Sequence, residues 1–178
     1  MKNDPLTRKQ KVLVQELDEI AGVLGLDWQN IKEYERDSRT PHLERMKRHI
    51  IIGEVISQYT LIDEYLNMRL CHYFFGGGKS FIRLWKTKRF QNFNFHVLEG
   101  LSLLKKLAFV KSISKIPKSV ARDIQEINAL RNGLAHAFFP ENLRTSKPVY
   151  KGKSIFTVEG IKRFVEDMAQ ISQLFLHL

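Results

Sequence analysis

The sequence predicts an all-α protein, an up-and-down bundle of four to five helices with a short β-hairpin or loop before the last helix. Apolar residues recur every three to four positions over several long stretches, which is the periodicity of a helix with one buried face. Prolines stand at the edges of these stretches, at Pro41, Pro117 and Pro140, where helices begin or end. The length of 178 residues and a hydrophobic content of 43% are sufficient for one well-packed bundle.

The N-terminal part is predicted to be an arm, residues 1–40, separate from a bundle domain, residues 41–178. A first helix is expected from about Thr7 to Leu24, ended by Gly25. The charged stretch from Trp28 to Arg39 suits a linker or an exposed helix.

The second helix is predicted from Pro41 to Phe75, with Thr40 as its N-cap. It is longer than a small bundle needs, so a kink is expected near Gly53. Nine apolar residues supply its core face: Leu43, Met46, Ile50, Ile51, Val55, Ile62, Tyr65, Leu66 and Leu70.

A basic segment interleaved with aromatic residues follows, from Lys79 to Phe90. Cations for phosphates and rings for bases are what a groove for single-stranded nucleic acid uses. The alternative is a connector that Phe81, Leu84 and Trp85 anchor to the core, with its charges in water. We expect the anchoring role for the apolar side chains and keep the cations as candidate RNA contacts: Lys79, Arg83, Lys86, Lys88 and Arg89.

The next helix is predicted from Phe93 to Lys111. Its inward residues are expected to be Val97, Leu98, Leu101, Leu104, Leu107 and Val110. The lysines in and after it could attract RNA over a distance: Lys105, Lys106, Lys111, Lys115 and Lys118.

A helix from about Pro117 to Phe139 carries the polar residues of most interest. At roughly 100° per residue, one stripe faces the core: Val120, Ile124, Ile127, Leu130, Leu134 and Phe138. The opposite side is expected to face water: Arg122, Glu126, Ala129 and Gly133. A third strip suits a partner subunit or a pocket: Ala121, Asn128, Asn132, Ala135 and Phe139.

A hairpin is predicted after Pro148, with Val149 and Tyr150 opposite Ile155 and Phe156. Its loop cations, with two before it, are further candidate RNA contacts: Arg144, Lys147, Lys151 and Lys153. Thr157 should cap the last helix, with Glu159 in its first turn. The apolar stripe of that helix is Ile161, Phe164, Val165, Met168, Ile171, Leu174, Phe175 and Leu178.

Arg131, Asn132 and His136 are the candidate catalytic residues. The guanidinium of Arg131 can bind a phosphodiester, His136 can titrate near neutral pH, and Asn132 lies one turn before the His. Asp63 or Glu64 could pair with Arg131 across the bundle. On an ideal helix Arg131 and His136 diverge by roughly 140°, so their convergence needs the long Arg side chain or a second copy of the helix. Residues of this kind also occur as a helix-terminal cation and a paired Arg.

The pattern Arg131-Asn132-x-x-x-His136, with Leu130 before the Arg and Ala135 before the His, resembles the signature of the HEPN superfamily (higher eukaryotes and prokaryotes nucleotide-binding). The resemblance implies a helical bundle that dimerises around the motif helix. It also implies, for many members, metal-independent endoribonuclease activity in toxin–antitoxin, defence or RNA-processing roles. Relatives of the mannitol operon repressor type are similar in fold and act as regulators, so a non-catalytic regulatory or protein-interaction module is the alternative.

The formal net charge of +10 favours a polyanionic partner, RNA or an acidic antitoxin, although a basic, well-solvated surface is the alternative. We expect no cofactor and no metal, since one cysteine and unpaired histidines offer no ligand cluster. With no apolar run of about 18 residues and no secretory leader, a cytoplasmic protein without a membrane partner is expected.

Overall fold

The protein is all-α with one small hairpin, as predicted, in a computed structural model that describes residues 35–76, 81–136 and 148–177, with Arg8 and Lys32 as isolated positions. The helices of this described part are α1 (Arg39–Phe75), α2 (Phe81–Trp85), α3 (Lys88–Phe93), α4 (Leu103–Ile113), α5 (Lys118–His136) and α6 (Val158–His177). The strands β1 (Val149–Tyr150) and β2 (Lys153–Ser154) lie between α5 and α6. The predicted helix from Thr7 to Leu24 lies outside the described residues.

The chain divides into two compact units, Met1–Ile50 and Ile51–Leu178. The predicted boundary at residue 40 stays a prediction. In the first unit, a 3₁₀ turn at Arg36–Ser38 leads into α1, and Ser38 Oγ donates to the carbonyl of Glu35 at 2.8 Å. The prediction of Thr40 as N-cap was wrong, because α1 begins at Arg39 and Thr40 is already helical.

The core of the second unit is built from one stripe of each long helix. Its fully buried residues include Val55, Ile62 and Leu66 of α1, Leu107 and Val110 of α4, Ile124 and Ile127 of α5, and Phe164 and Ile171 of α6. Each such side chain contributes about 1.5–3 kcal/mol when it leaves water. The buried stripes follow helical spacing, which is why the sequence could predict most of them.

The predicted helix from Phe93 to Lys111 is not one helix. α3 runs into a π-helical turn at Asn94–Leu98, in which the N–H of Glu99 donates to the carbonyl of Asn94, and α4 begins only at Leu103. The wider turn and the break shift the helical phase. Val97 (41% exposed) and Leu104 (40% exposed) therefore face water, contrary to the prediction, whereas Leu98 is buried.

The hairpin forms where it was predicted, but its second strand begins two residues early. Val149 pairs with Ser154 and Tyr150 with Lys153, so Ile155 and Phe156 follow the strand instead of forming it. Lys151 (φ 45°) and Gly152 (φ 80°) form the turn. Two successive positive φ angles match the twist of a tight two-residue hairpin turn, which accounts for the short loop.

The final helix begins as the sequence predicts. The N–H of Gly160 donates to Thr157 Oγ1 at 3.1 Å, so Thr157 is the N-cap, and Glu159 lies in the first turn. Val165 is 47% exposed, so its assignment to the apolar stripe was wrong. Leu178 lies outside the described residues.

Gly160 is where this helix touches the hairpin. A Cβ at this position would overlap the backbone carbonyl of Ser154, and backbone cannot rotate away as a flexible side chain can. We expect Gly160→Ala to lower the free energy of unfolding by about 1–3 kcal/mol, the usual cost of overpacking. Urea unfolding measures it. Gly133→Ala is the control, since a Cβ there meets nothing within 4 Å. If Gly160→Ala lowers the free energy of unfolding no more than Gly133→Ala does, the close approach of Gly160 to the Ser154 carbonyl is contradicted.

Candidate functional site

Helix α5 carries the candidate catalytic residues and is anchored by its predicted apolar stripe. Ile124, Ile127, Leu130 and Leu134 are buried, and Val120 packs against the core while half-buried. Phe138 and Phe139 lie outside the described residues. The buried stripe fixes the rotation of α5 about its own axis, and so fixes where its polar residues point.

The strip predicted for a second contact lies mostly toward solvent. Asn132 and Ala135 are exposed and Asn128 is half-buried, whereas Ala121 is buried at 4% exposure. Gly133 is half-buried, and a side chain placed there would meet nothing within 4 Å. This end of α5 therefore presents small and polar residues at an accessible surface.

Arg131 is held in place by two contacts. Its guanidinium carbon lies 5.1 Å from the centre of the Tyr59 ring, and its Nη1 donates to Asn132 Oδ1 at 3.3 Å. A cation over an aromatic face gains about 0.5–1 kcal/mol at exposed sites. These contacts orient the guanidinium without neutralising its charge.

Tyr59 contacts the candidate catalytic residue Arg131 and was not predicted from the sequence. It lies on α1, half-buried and packed against the core. A signal was present, because Tyr59 is four residues after Val55 and three before Ile62, and both of those are fully buried. What the spacing could not tell is that the ring faces an arginine of α5.

Neither acid proposed as a partner of Arg131 occupies that role in the described part of the chain. Asp63 forms an ion pair with Lys106, whose Nζ lies 2.7 Å from Asp63 Oδ2, and it also accepts from the amide of Asn67. Glu64 is exposed. Among the residues that the structure describes, Arg131 has no carboxylate partner, so its charge is available to an anion.

The Asp63 pair also removes Lys106 from the lysines expected to attract RNA. Lys106 is 4% exposed, with both of its hydrogen bonds directed at that carboxylate. A lysine so enclosed serves packing between α1 and α4. Its neighbour Lys105 is exposed and remains available.

His136 is the last residue of α5. It follows Asn132 by one helical turn, and its imidazole lies outside the described part of the structure. Asn132 Oδ1 accepts from Arg131, and the amide N–H groups of Asn132 have no acceptor among the described side chains. The backbone therefore brings Arg131, Asn132 and His136 to the same end of one helix.

Eight of the nine candidate RNA contacts fall into three groups. Four lie exposed on and between α2 and α3: Arg83, Lys86, Lys88 and Arg89. Three lie outside the described residues: Lys79, Arg144 and Lys147. Lys153 is 46% exposed and pairs at 3.1 Å with Glu159, itself exposed, so that pair contributes little and leaves the lysine accessible.

Lys151 has a different role from the one predicted. Its Nζ lies 2.7 Å from Asp123 Oδ1 on α5 and 2.8 Å from Asp167 Oδ2 on α6. Burial alone would lower the pKa of Lys151, but its hydrogen bonds to the two carboxylates outweigh that effect and raise the pKa. An ammonium held by two carboxylates connects the hairpin to both helices and is unsuited to a phosphate.

The anchoring residues of the basic segment are only partly as predicted. Leu84 is buried at 3% exposure, but Trp85 is 49% exposed, and the side chain of Phe81 lies outside the described residues. Phe90 is fully buried and takes the anchoring role predicted for Trp85. Half of the indole therefore faces water among exposed cations.

The groups that could bind a metal are His, Cys, Asp and Glu side chains, and the thiol of the chain is Cys71. No group of three or more His, Cys, Asp or Glu side chains is placed to hold a metal ion there. Burial raises the pKa of the Cys71 thiol to about 11, so the thiol is protonated at neutral pH. No helix in the described part is both long and apolar enough to cross a bilayer.

A scan against protein-family models and searches of curated proteins and solved structures find no match to this chain, so the site rests on its own geometry.

Proposed function

We propose that the protein is a metal-independent endoribonuclease of the HEPN type that acts as a homodimer. The observation that carries the proposal is the orientation and charge environment of the Arg131 guanidinium. The residue is half-buried, and its guanidinium is oriented by Tyr59 and Asn132 and has no carboxylate partner among the described residues. A guanidinium that is oriented but not neutralised by a carboxylate can donate two parallel hydrogen bonds to a phosphodiester.

In the mechanism we propose, the 2′-hydroxyl of RNA attacks the adjacent phosphorus. One His136 removes the hydroxyl proton, and a second imidazole protonates the 5′-oxygen that leaves. Arg131 stabilises the added negative charge on the phosphorane-like centre. Asn132 donates from its amide to a phosphate oxygen or to the imidazole. The products are a 2′,3′-cyclic phosphate and a 5′-hydroxyl. The step consumes no water and, in this mechanism, needs no metal ion.

A homodimer follows from the need for two proton-transfer groups. One imidazole cannot conveniently be both base and acid in the same step, and Arg131 and His136 diverge by roughly 140° on one helix. We propose that two α5 helices face each other, so that Arg131 of one protomer works beside the imidazole of the other. The exposed Ala129 and Ala135 and the open space at Gly133 permit a close approach of helices.

The proposed setting is a cytoplasmic toxin, defence or RNA-processing role. The excess of positive charge supports RNA as substrate and an acidic antitoxin or regulatory protein as a second partner.

The test is RNA cleavage by the purified protein in the presence of EDTA. We expect cleavage of an unstructured RNA oligonucleotide that leaves a 2′,3′-cyclic phosphate. We expect no cleavage at a nucleotide whose 2′-hydroxyl is replaced by hydrogen, because the nucleophile is missing there. Mass spectrometry of the fragments reads both results. Cleavage at the deoxy position, or a dependence on added Mg²⁺, would contradict the mechanism.

A non-catalytic interaction module is the second candidate. The exposed small residues of α5 favour it, since they serve helix contact as well as they serve a cleft. RNA that is bound but stays intact over prolonged incubation would favour this module over the enzyme.

A further inference from the structure

The unpaired positive charge of the chain is concentrated in one run. Residues 65–122 contain twelve Lys and Arg residues but a single acid, Glu99. Among the described residues of this run, the one ion pair is Lys106 with Asp63, which uses an acid just outside it. The remaining described cations of the run have no carboxylate partner within the part of the chain that the structure describes, and their surface favours an anionic partner.

The same run exposes aromatic rings. Tyr73 is 61% exposed, Phe74 43%, Trp85 49% and Phe109 40%. An exposed ring does not gain the free energy of leaving water. A group of exposed rings that lie together therefore indicates an interaction site.

These rings belong to one aromatic cluster. Phe74 contacts Tyr73 at 5.2 Å and Phe109 at 5.6 Å between ring centres. Trp85 is connected to Phe74 through three intervening rings, with centre distances of 5.2 to 5.5 Å at each step: Phe90, Phe75 and Phe93. The end of α1, α2 and α4 thus contribute exposed rings, and α3 contributes the buried Phe90 and the half-buried Phe93 that connect them.

Cations lie beside these rings. The guanidinium carbon of Arg89 is 5.4 Å from the centre of the Phe75 ring, and Lys86 directly follows Trp85. Lys105 is exposed one turn before Phe109 on α4, hence on the same side of that helix. Exposed cations therefore neighbour the exposed rings. We call the four rings and these three cations the aromatic platform: Tyr73, Phe74, Trp85 and Phe109 with Lys86, Arg89 and Lys105.

We propose that the aromatic platform is a binding site for single-stranded nucleic acid, distinct from the α5 site. Unpaired bases stack on Tyr73, Phe74, Trp85 and Phe109, and the phosphates contact the neighbouring cations. A duplex keeps its base faces covered by their neighbours, so it can use the cations but not the rings. The platform therefore discriminates single strands from duplexes.

The platform is remote from Arg131. Tyr59, which supports Arg131, and Phe75 are sixteen positions apart on α1, roughly 24 Å along the helix. At ~3.4 Å per stacked nucleotide, about seven nucleotides cover that distance. A strand bound to the platform could thus reach Arg131 and be held there for cleavage. That role rests on the proposed ribonuclease function, whereas the binding of single strands does not.

The test uses fluorescently labelled oligonucleotides in which every 2′-hydroxyl is methylated, so the proposed cleavage cannot occur. Fluorescence anisotropy gives Kd for a 12-mer and for its duplex with a complementary strand. We expect the single strand to bind at least tenfold more tightly. Replacing Trp85 and Tyr73 together by Ala should weaken single-strand binding about tenfold or more and leave duplex binding unchanged.

Two variants serve as controls for the loss of the rings, and the unchanged duplex binding of the double variant shows that it is folded. Trp85→Phe, which keeps a ring, should bind like the wild type, and Val158→Ala, 83% exposed on α6, should have no effect. Equal affinity for strand and duplex, or competition by polyglutamate as strong as by the oligonucleotide, would overturn the platform. Tight single-strand binding by a protein that cuts no RNA would refute the ribonuclease and retain the platform.

Discussion

Replacing His136 or Arg131 by Ala is expected to reduce RNA cleavage at least a hundredfold while the fold persists. General acid–base groups contribute about 10²–10⁴-fold to rates, and a donor that stabilises transition-state charge about 10²–10³-fold. Arg131→Lys should also be impaired, because an ammonium keeps the charge but cannot bind a phosphate through two parallel hydrogen bonds. Initial rates on an unstructured RNA, with thermal unfolding of each variant, measure these effects.

Arg122→Ala is the matched control for Arg131→Ala. Arg122 lies exposed on the same helix, so its removal deletes an equal charge from α5 without touching the cation over Tyr59. Cleavage by Arg122→Ala should stay within about twofold of wild type at physiological salt, since a single distant surface charge is largely screened. If the loss is the same for both arginines, Arg131 acts only through net charge.

A dimer that contains only one His136 should be inactive, because the proposed mechanism uses the imidazoles of both protomers. When equal amounts of wild-type protein and His136→Ala exchange subunits at random, about half of the dimers are mixed and a quarter are wild type. The mixture should therefore keep roughly half of the activity that its wild-type protein had before the exchange. Subunit exchange is monitored by mass spectrometry of differently tagged proteins. Activity that stays unchanged after confirmed exchange would show that each site lies within one protomer.

The sequence predicted the fold class because that depends on local signals. Pro117 and Thr157 marked helix starts correctly to within a residue, and the buried stripe of α5 follows simple helical spacing. Thr40 failed as a cap because a 3₁₀ turn precedes α1 and brings the helix start forward to Arg39. The prediction of one continuous helix from Phe93 to Lys111 failed for a similar reason. The π-helical turn at Asn94–Leu98 is wider than an α-helical turn, so it shifts the helical phase of the residues after it.

The ion pairs could not be predicted, because they join residues distant in the sequence. Asp63 and Lys106 are 43 positions apart, and Lys151 meets one acid on α5 and another on α6. Several acids could have paired with Arg131 by composition alone, and packing of the bundle decides among them. The spacing of Arg131, Asn132 and His136 was sufficient to propose them as candidates, whereas Tyr59, which contacts Arg131, could be found only from the relative placement of two helices.

The Lys151 network gives the largest expected effect on stability. Lys151→Met should lower the free energy of unfolding by about 2–3 kcal/mol, less than the ~3–5 kcal/mol for a fully buried pair because these side chains remain 10 to 24% exposed. Without the ammonium, Asp123 and Asp167 face each other with no countercharge. Met retains the side-chain length and the backbone strain of φ 45°, so the change isolates the charge. Urea unfolding at pH 7 measures the loss.

Lys153→Met is the control on the same hairpin. Its ion pair with Glu159 is solvent-exposed, so we expect a change of less than about 0.5–1 kcal/mol. Adding Asp123→Asn to Lys151→Met should recover part of the stability, because it removes one of the two unpaired charges. Equal losses for the two lysine variants would show that Lys151 is only a turn residue.

The network also sets a pH dependence. Burial and the hydrogen bond to Asp167 raise the pKa of Tyr150 above its ordinary value of 10.0, and the carboxylates raise the pKa of Lys151 above 10.5. Both groups hold their protons more tightly in the folded chain, so the stability they contribute is complete below about pH 10 and falls as the pH rises further. Lys151→Met removes one of these two groups, and its stability should therefore decline less between pH 9 and pH 11 than that of the wild type. Equal declines over that interval, measured from urea midpoints, would show that the ammonium of Lys151 is not coupled to folding.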